Sequence, residues 1–164
     1  RGQVTPRALA TALPLRSYQA QAVELVLATG GLLVGDDLGV GKTAIGIGLI
    51  SNPDARPALV VTTTFLPRQW QAEIRRFLPG ATSHVISKSV PYTIHGNPDV
   101  VLCNYHKLDG WADTFAGQFQ TVIFDEVQEL RRTKSQKYAA AKHIAERARL
   151  RCGWLPTGAG RASP

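Results

Sequence analysis

A short apolar run that stops at a glycine-rich turn, followed at once by Lys-Thr and a second apolar run, leaves few folds open to this chain. The stretch is Leu32-Leu-Val-Gly-Asp-Asp-Leu-Gly-Val-Gly-Lys-Thr43, continued by Ala44-Ile-Gly-Ile-Gly-Leu-Ile50. Leu32 to Val34 reads as a buried strand, and the apolar residues after Lys42 read as a helix packed on a sheet. Gly39 and Gly41 let the backbone curl around an anion without Cβ clashes, so consecutive N–H groups and the helix N-terminus face phosphate oxygens. Lys42 then reaches the β- and γ-phosphates, and the Thr43 hydroxyl holds Mg²⁺. Gly46 and Gly48 inside the helix each cost roughly 1 kcal/mol relative to alanine. They are expected to mark close contacts between helix and sheet.

A second anchor is Thr121-Val-Ile-Phe-Asp-Glu-Val-Gln-Glu-Leu130. Val122 to Phe124 run straight into paired carboxylates, as a central parallel strand does when it ends at a ligand-bearing edge. Asp125 suits the coordination sphere of the Mg²⁺ held by Thr43, and Glu126 suits the polarisation of an attacking water. Asp125 is also a good helix N-cap, a plainer reading that does not explain its pairing with the Gly-Lys-Thr upstream.

The remaining elements follow from periodicity and breakers. Tyr18, Ala22, Leu25 and Val26 form one stripe of a helix that Gly30-Gly31 ends. Ala58 to Thr63 reads as a β-branched buried strand, and Pro67 to Phe77 as a helix with Trp70, Ile74 and Phe77 on one face. His84 to Ser87 reads as a short strand. Asp99 to Tyr105 reads as a buried strand with a polar exit, which makes Asn104 to Lys107 a candidate nucleic-acid loop. Lys134 to Leu150 reads as a long basic helix with Tyr138, Ala141, Ala145 and Ala148 inward. The rest, 151–164, shows no strand pattern and reads as an irregular tail, and 1–14 reads as a loosely held lead-in.

The 164 residues, 44% of them hydrophobic, suffice for one core and fall short of a two-lobed motor. Cys103 and Cys152 lack metal-ligand spacing, and His84, His95 and His106 are scattered, so a reduced intracellular setting without a zinc site is expected. No apolar run approaches the roughly 18 residues of a membrane span, and the polar N-terminus does not read as a signal peptide. The formal charge of +7 is unevenly spread. Residues 131–164 carry nine Lys and Arg against one acid, whereas the preceding 130 carry ten against eleven. A basic segment of this kind favours phosphate backbones, and it equally suits a solvated face.

The Asp-Asp-Leu-Gly-Val-Gly-Lys-Thr stretch, with Asp36 where the strict phosphate-loop pattern has its first glycine, resembles motif I of the SWI/SNF-like DNA translocases of helicase superfamily 2. Leu15-Arg-Ser-Tyr-Gln19 resembles the element preceding that motif, Leu59-Val-Val with Leu66, Gln69-Trp70 and Glu73-Ile74 resembles motif Ia, Asp99-Val-Val with Tyr105 resembles motif Ib, and Asp125-Glu-Val-Gln128 resembles motif II. The likeness covers Leu15 to Leu150. It implies an α/β fold: a three-layer RecA-like P-loop NTPase lobe with a mostly parallel sheet and helices on both faces. It implies that ATP and Mg²⁺ are bound by Arg16, Gln19, Asp37, Leu38, Gly39, Val40, Gly41, Lys42, Thr43 and Ala44. Gln19 would read adenine, Thr43 and Asp125 would hold the metal, and Lys42, Asp125 and Glu126 would carry catalysis. Thr63, Thr64, Asn104 and Tyr105 would touch nucleic acid, DNA rather than RNA. Gln128 stands where the family has the histidine that couples hydrolysis to nucleic acid. The activity implied is ATP hydrolysis driving movement on DNA once a second RecA-like lobe is joined, in the cytoplasm or at the nucleoid, with no membrane partner.

Other functions compete. His106-Lys-Leu-Asp109 and Asp113-Thr-Phe-Ala-Gly117 are superficially similar to the guanine-reading and metal-binding signatures of GTPases, but residue identity, spacing and order all fail. A P-loop kinase is a related possibility. A nucleotide- or nucleic-acid-binding remnant without turnover is the non-enzymatic one.

Overall fold

The computed structural model describes residues 21, 31–34, 42–125, 130 and 136–154. Its strands are β1 (Gly31–Val34), β2 (Ala58–Thr62), β3 (Ser83–Val85), β4 (Val100–Asn104), β5 (Thr121–Phe124) and β6 (Leu150–Trp154). They form one six-stranded sheet in the order β1-β6-β5-β2-β4-β3, and every adjacent pair is parallel. The helices are α1 (Lys42–Ile50), α2 (Pro67–Phe77), α3 (Tyr105–Phe115) and α4 (Gln136–Ala145).

A parallel sheet must be covered on both faces, and the apolar runs supply side chains for both. Val60, Val100, Leu102, Ile123, Leu150 and Cys152 face α1 and α2, meeting Ile47, Ile50, Trp70 and Ile74. Their strand neighbours Leu59, Val61, Val101, Cys103, Val122 and Phe124 face α3 and α4, meeting Leu108, Trp111, Phe115, Ala141 and Ile144. The strict alternation follows from the two-residue repeat of a strand. Gly46 is the close contact anticipated for α1: a Cβ there would lie 2.8 Å from Trp70 Cη2 and 3.4 Å from Ile123 Cδ1. Gly110 serves α3 in the same way, since a Cβ would fall 1.9 Å from the Ser89 carbonyl oxygen. That approach lets Trp111 Nε1 donate to the Lys88 carbonyl at 2.8 Å, strapping the 86–98 loop over α3.

Three readings of the sequence are corrected. First, the segment read as a patternless tail contains β6, which pairs with β1 and β5 and fills the slot between them. Leu150 and Cys152 are buried while Arg151 between them is exposed, so alternation was present over a run too short and too glycine-rich to stand out. Residues 155–164 lie outside the described residues. Second, the basic helix ends at Ala145 rather than Leu150; its inward face is Ala140, Ala141 and Ile144, with Tyr138 54% exposed. Third, Asn104 to Lys107 is no loop. Asn104 is the N-cap of α3, its side chain accepting from the Lys107 N–H at 3.0 Å. Leu108, Trp111 and Phe115 supply the helical period that marks the element.

Among the described residues, one buried side-chain polar atom lacks a partner, the Thr121 hydroxyl. Thr121→Val is expected to raise stability by about 1 kcal/mol by removing an unpaired buried group, read as a higher urea midpoint; an unchanged or lower midpoint contradicts the packing described. Burial pushes the Cys103 and Cys152 thiols up to about 12. A raised folded pKa means the contribution is whole below the unfolded value, about 8.5, and is lost as pH rises towards the folded one. The urea midpoint is therefore expected to fall between pH 8 and pH 10 by less in a Cys103→Ala, Cys152→Ala double variant than in the parent.

Candidate active site at the carboxyl edge of the sheet

Open parallel sheets carry ligands at the carboxyl ends of their strands, and the sequence places its chemistry there. Register sets Phe124 of β5 beside Val61 of β2, so Asp125, one residue on, arrives next to Thr62. The Asp125 N–H continues the ladder to the Val61 carbonyl at 2.8 Å. Its Oδ2 accepts from Trp70 Nε1 at 2.9 Å and from the Thr62 hydroxyl at 3.2 Å. Its carbonyl accepts from the Tyr105 hydroxyl at 2.6 Å. Thr62 is fully buried, Trp70 and Tyr105 are each 2% exposed, and Asp125 itself is half-buried.

The charge balance of this arrangement bears on what it can hold. Among the described residues, the donors to the Asp125 carboxylate are neutral and no Lys, Arg or His forms an ion pair with it. A half-buried carboxylate held by neutral donors suits a divalent cation, a hard ion that takes oxygen ligands. Thr43, at the first turn of α1, is half-buried, and the N–H groups of that turn have no helical acceptor of their own. An oxygen-ligated cation with a phosphate therefore fits the donors present.

Of the site residues expected from sequence, Thr43, Ala44, Thr63, Thr64, Asn104, Tyr105 and Asp125 are described. Arg16, Gln19, Asp37, Leu38, Gly39, Val40, Gly41, Glu126, Gln128 and the side chain of Lys42 lie outside the described residues. Thr63 is half-buried and Thr64 exposed; with Phe65, Tyr105 and His106 they edge a recess of about 180 Å³. Asn104 is 6% exposed and its side chain caps α3, and the Tyr105 hydroxyl donates to the Asp125 carbonyl. Thr62, the last residue of β2, braces Asp125. Trp70 was read as part of the apolar face of α2 and of the motif Ia resemblance, and its hydrogen bond to the carboxylate carries no local sequence signature. The segments superficially similar to GTPase signatures, His106 to Asp109 and Asp113 to Gly117, belong to α3 and the turn that ends it.

A larger open cleft of about 660 Å³ lies at the opposite edge, among Arg56, Tyr92, Asp99, Trp111, Phe115 and Phe119. Its charged groups are already engaged: Arg56 Nε donates to the Ile50 carbonyl at 2.8 Å, and Asp99 accepts from the Thr82 N–H at 2.9 Å. Size alone therefore does not mark the chemical site.

With the geometry in place, comparison with known proteins is informative. The family model described as type III restriction enzyme, res subunit, matches residues 12–153, a span that reaches into β6 and so runs past the Leu150 limit read from sequence. The chain is 26% identical over 141 residues to SWI/SNF-related matrix-associated actin-dependent regulator of chromatin subfamily A-like protein 1 of Drosophila melanogaster, covering 82% of this chain and 18% of that protein. It is 28% identical over 122 residues to the DNA 3'-5' translocase XPB2 of Sulfurisphaera tokodaii, covering 72% of this chain and 26% of that one. The solved SWI2/SNF2 ATPase core of Sulfolobus solfataricus in complex with double-stranded DNA superposes with a TM-score of 0.79 at 20% identity, over 96% of this chain and 34% of the other. The RecA-like α/β lobe expected from sequence is the fold observed. The chain spans about a fifth to a quarter of the curated relatives it matches.

If Thr62 braces the Asp125 carboxylate, Thr62→Val, which keeps the shape and deletes the donor, should destabilise the fold by roughly 1 kcal/mol in a denaturant titration. A variant as stable as the parent would show that the bond has no net worth.

Proposed function

The chain belongs to the family described as type III restriction enzyme, res subunit, and from that membership we propose that it is the ATP-binding, N-terminal lobe of an ATP-dependent DNA translocase. The observation that carries this reading is the position of Asp125 directly after β5, at the carboxyl edge that all the parallel strands share. The choice of DNA is supported by the relatives, one named a DNA 3'-5' translocase and another solved on double-stranded DNA. Among the described residues, no helix is long and apolar enough to cross a membrane, and a setting inside the cell suits a DNA substrate.

The division of labour follows from the residues. The N–H groups of Gly39 to Thr43 and the Lys42 ammonium bind the phosphates, Ala44 follows them into α1, and Arg16 and Gln19 approach the nucleoside. Thr43 and Asp125 hold Mg²⁺, which when bound spreads the charge that develops on the transferred phosphoryl group. Glu126 orients the attacking water, and Gln128 links the site to the nucleic-acid side. Thr63 and Thr64, on the outer rim of the same edge, contact the DNA backbone. The basic segment beyond Leu130 adds attraction that weakens with salt. A second RecA-like lobe supplies the arginines that complete the transition state, a contribution worth 10³ to about 10⁵ in rate in related phosphoryl-transfer systems. No step here needs a nucleophilic cysteine, in keeping with the protonated thiols of Cys103 and Cys152.

Two measurements test the assignment. Lys42→Ala should abolish or severely weaken ATP binding by the 164-residue chain, and equal affinity in parent and variant would refute the phosphate site. Glu126→Gln in an active two-lobed protein should retain ATP binding and lose turnover. Hydrolysis at the parental rate would remove Glu126 from the mechanism.

A further inference from the structure

We propose that Trp70 is a positioning residue for the metal carboxylate, locking Asp125 to the helix that leaves the phosphate loop. The inference rests on reading the carboxyl edge as the Mg²⁺–ATP site and adds a residue and a mechanism to it.

The indole makes contacts on two sides. Its Nε1 donates to Asp125 Oδ2 at 2.9 Å. Its far edge lies over Gly46 of α1, where a Cβ would stand 2.8 Å from Cη2 and 3.3 Å from Cζ3. One rigid, 2% exposed ring therefore spans the distance between α1 and the carboxylate after β5. Gly46 lies one turn from Thr43, so the ring relates one end of the expected metal site to the other. The position of the ring is fixed from its own helix too, because the Trp70 N–H closes the first turn of α2 on the Leu66 carbonyl at 2.9 Å.

The chemistry of the donor is as informative as its place. A lysine or arginine in this position would orient Asp125 and also neutralise it, competing with a cation. An indole N–H is a neutral donor with no acceptor capacity. It holds one carboxylate oxygen, together with the Thr62 hydroxyl, and leaves the charge available to the metal. A residue present only to fill the core would need no N–H, and burying one without a partner is unfavourable. Groups that orient metal ligands in this way typically alter metal affinity by 10- to roughly 100-fold when removed.

The test uses the 164-residue chain, with free Mn²⁺ read by electron paramagnetic resonance during titration of the ATP-saturated protein. Trp70→Phe stays aromatic but deletes the N–H and, with it, the benzo edge that meets Gly46. It should weaken Mn²⁺ binding by about 10-fold while ATP binding in chelator stays within about 2-fold of the parent. Gly46→Ala, which pushes the ring from its other side, should weaken Mn²⁺ binding in the same direction, and the double variant should lose less than the product of the two. Unchanged Mn²⁺ affinity in Trp70→Phe overturns the proposal and leaves the nucleotide site standing. A parent chain that binds no ATP, with or without metal, overturns both. Independently of how the variants fold, the Trp70 indole N–H resonance of the parent should shift when Mg²⁺ is added to the ATP complex. A resonance that ignores the metal contradicts the coupling.

Discussion

The hydrogen bonds that converge on Asp125 are the point on which the rest of the carboxyl edge depends. Its N–H is tied to β2, its carbonyl to Tyr105 at the start of α3, and its carboxylate to Thr62 and to Trp70 of α2. Elements from both faces of the sheet thus meet at one residue. The surrounding burial makes each bond costly to break, because a donor left unpaired in a dry interior loses its water without replacement. Among the described residues the donors to the carboxylate are neutral, so they fix it in place without bringing a positive charge to it.

That distinction separates two depressions among the described residues. The cleft under the 92–98 loop is the roomier, with aromatic walls in which Trp111 stacks on Phe115 at 4.9 Å and meets Tyr92 edge-on at 5.0 Å. Its Arg56 and Asp99 lie 3.9 Å apart and are already bonded to backbone groups. Among the described residues no cation pairs with Asp125, and the chain delivers it to the carboxyl edge of the sheet. Net charge on a placed group decides the site more than volume does.

Much of the fold was legible because parallel strands buried on both faces leave continuous apolar runs, as in Ala58–Thr62 and Val100–Asn104, and because Trp70 and Ile74 of α2 recur at helical spacing. Where reading failed, competing physics explains it. Leu150–Trp154 is short, and its alternation over Leu150, Arg151 and Cys152 stops at Gly153; pairing with β1 and β5 makes it a strand. Asn104 looked like a loop polar group because an N-cap and a binding residue are the same residue type seen without their neighbours. At the site, Asp125 was marked by the carboxylate that follows an apolar strand. Its braces Thr62, Trp70 and Tyr105 were not, since each bond joins residues 20 to 63 apart in the chain. The phosphate turn itself and Glu126 lie outside the described residues, so their assignment continues to rest on sequence and family.

The central claim is that the carboxyl edge around Asp125, and not the larger cleft, takes the metal and nucleotide. The most direct measurement is a crystal structure of the chain grown with Mn²⁺ and a non-hydrolysable ATP analogue, with the anomalous signal of the metal located. The account predicts a single Mn²⁺ peak within coordination distance of the Asp125 carboxylate and the Thr43 hydroxyl, with the analogue's phosphates over the start of α1. A nucleotide seated instead between Tyr92, Trp111 and Phe119, or a metal peak remote from Asp125, would contradict it.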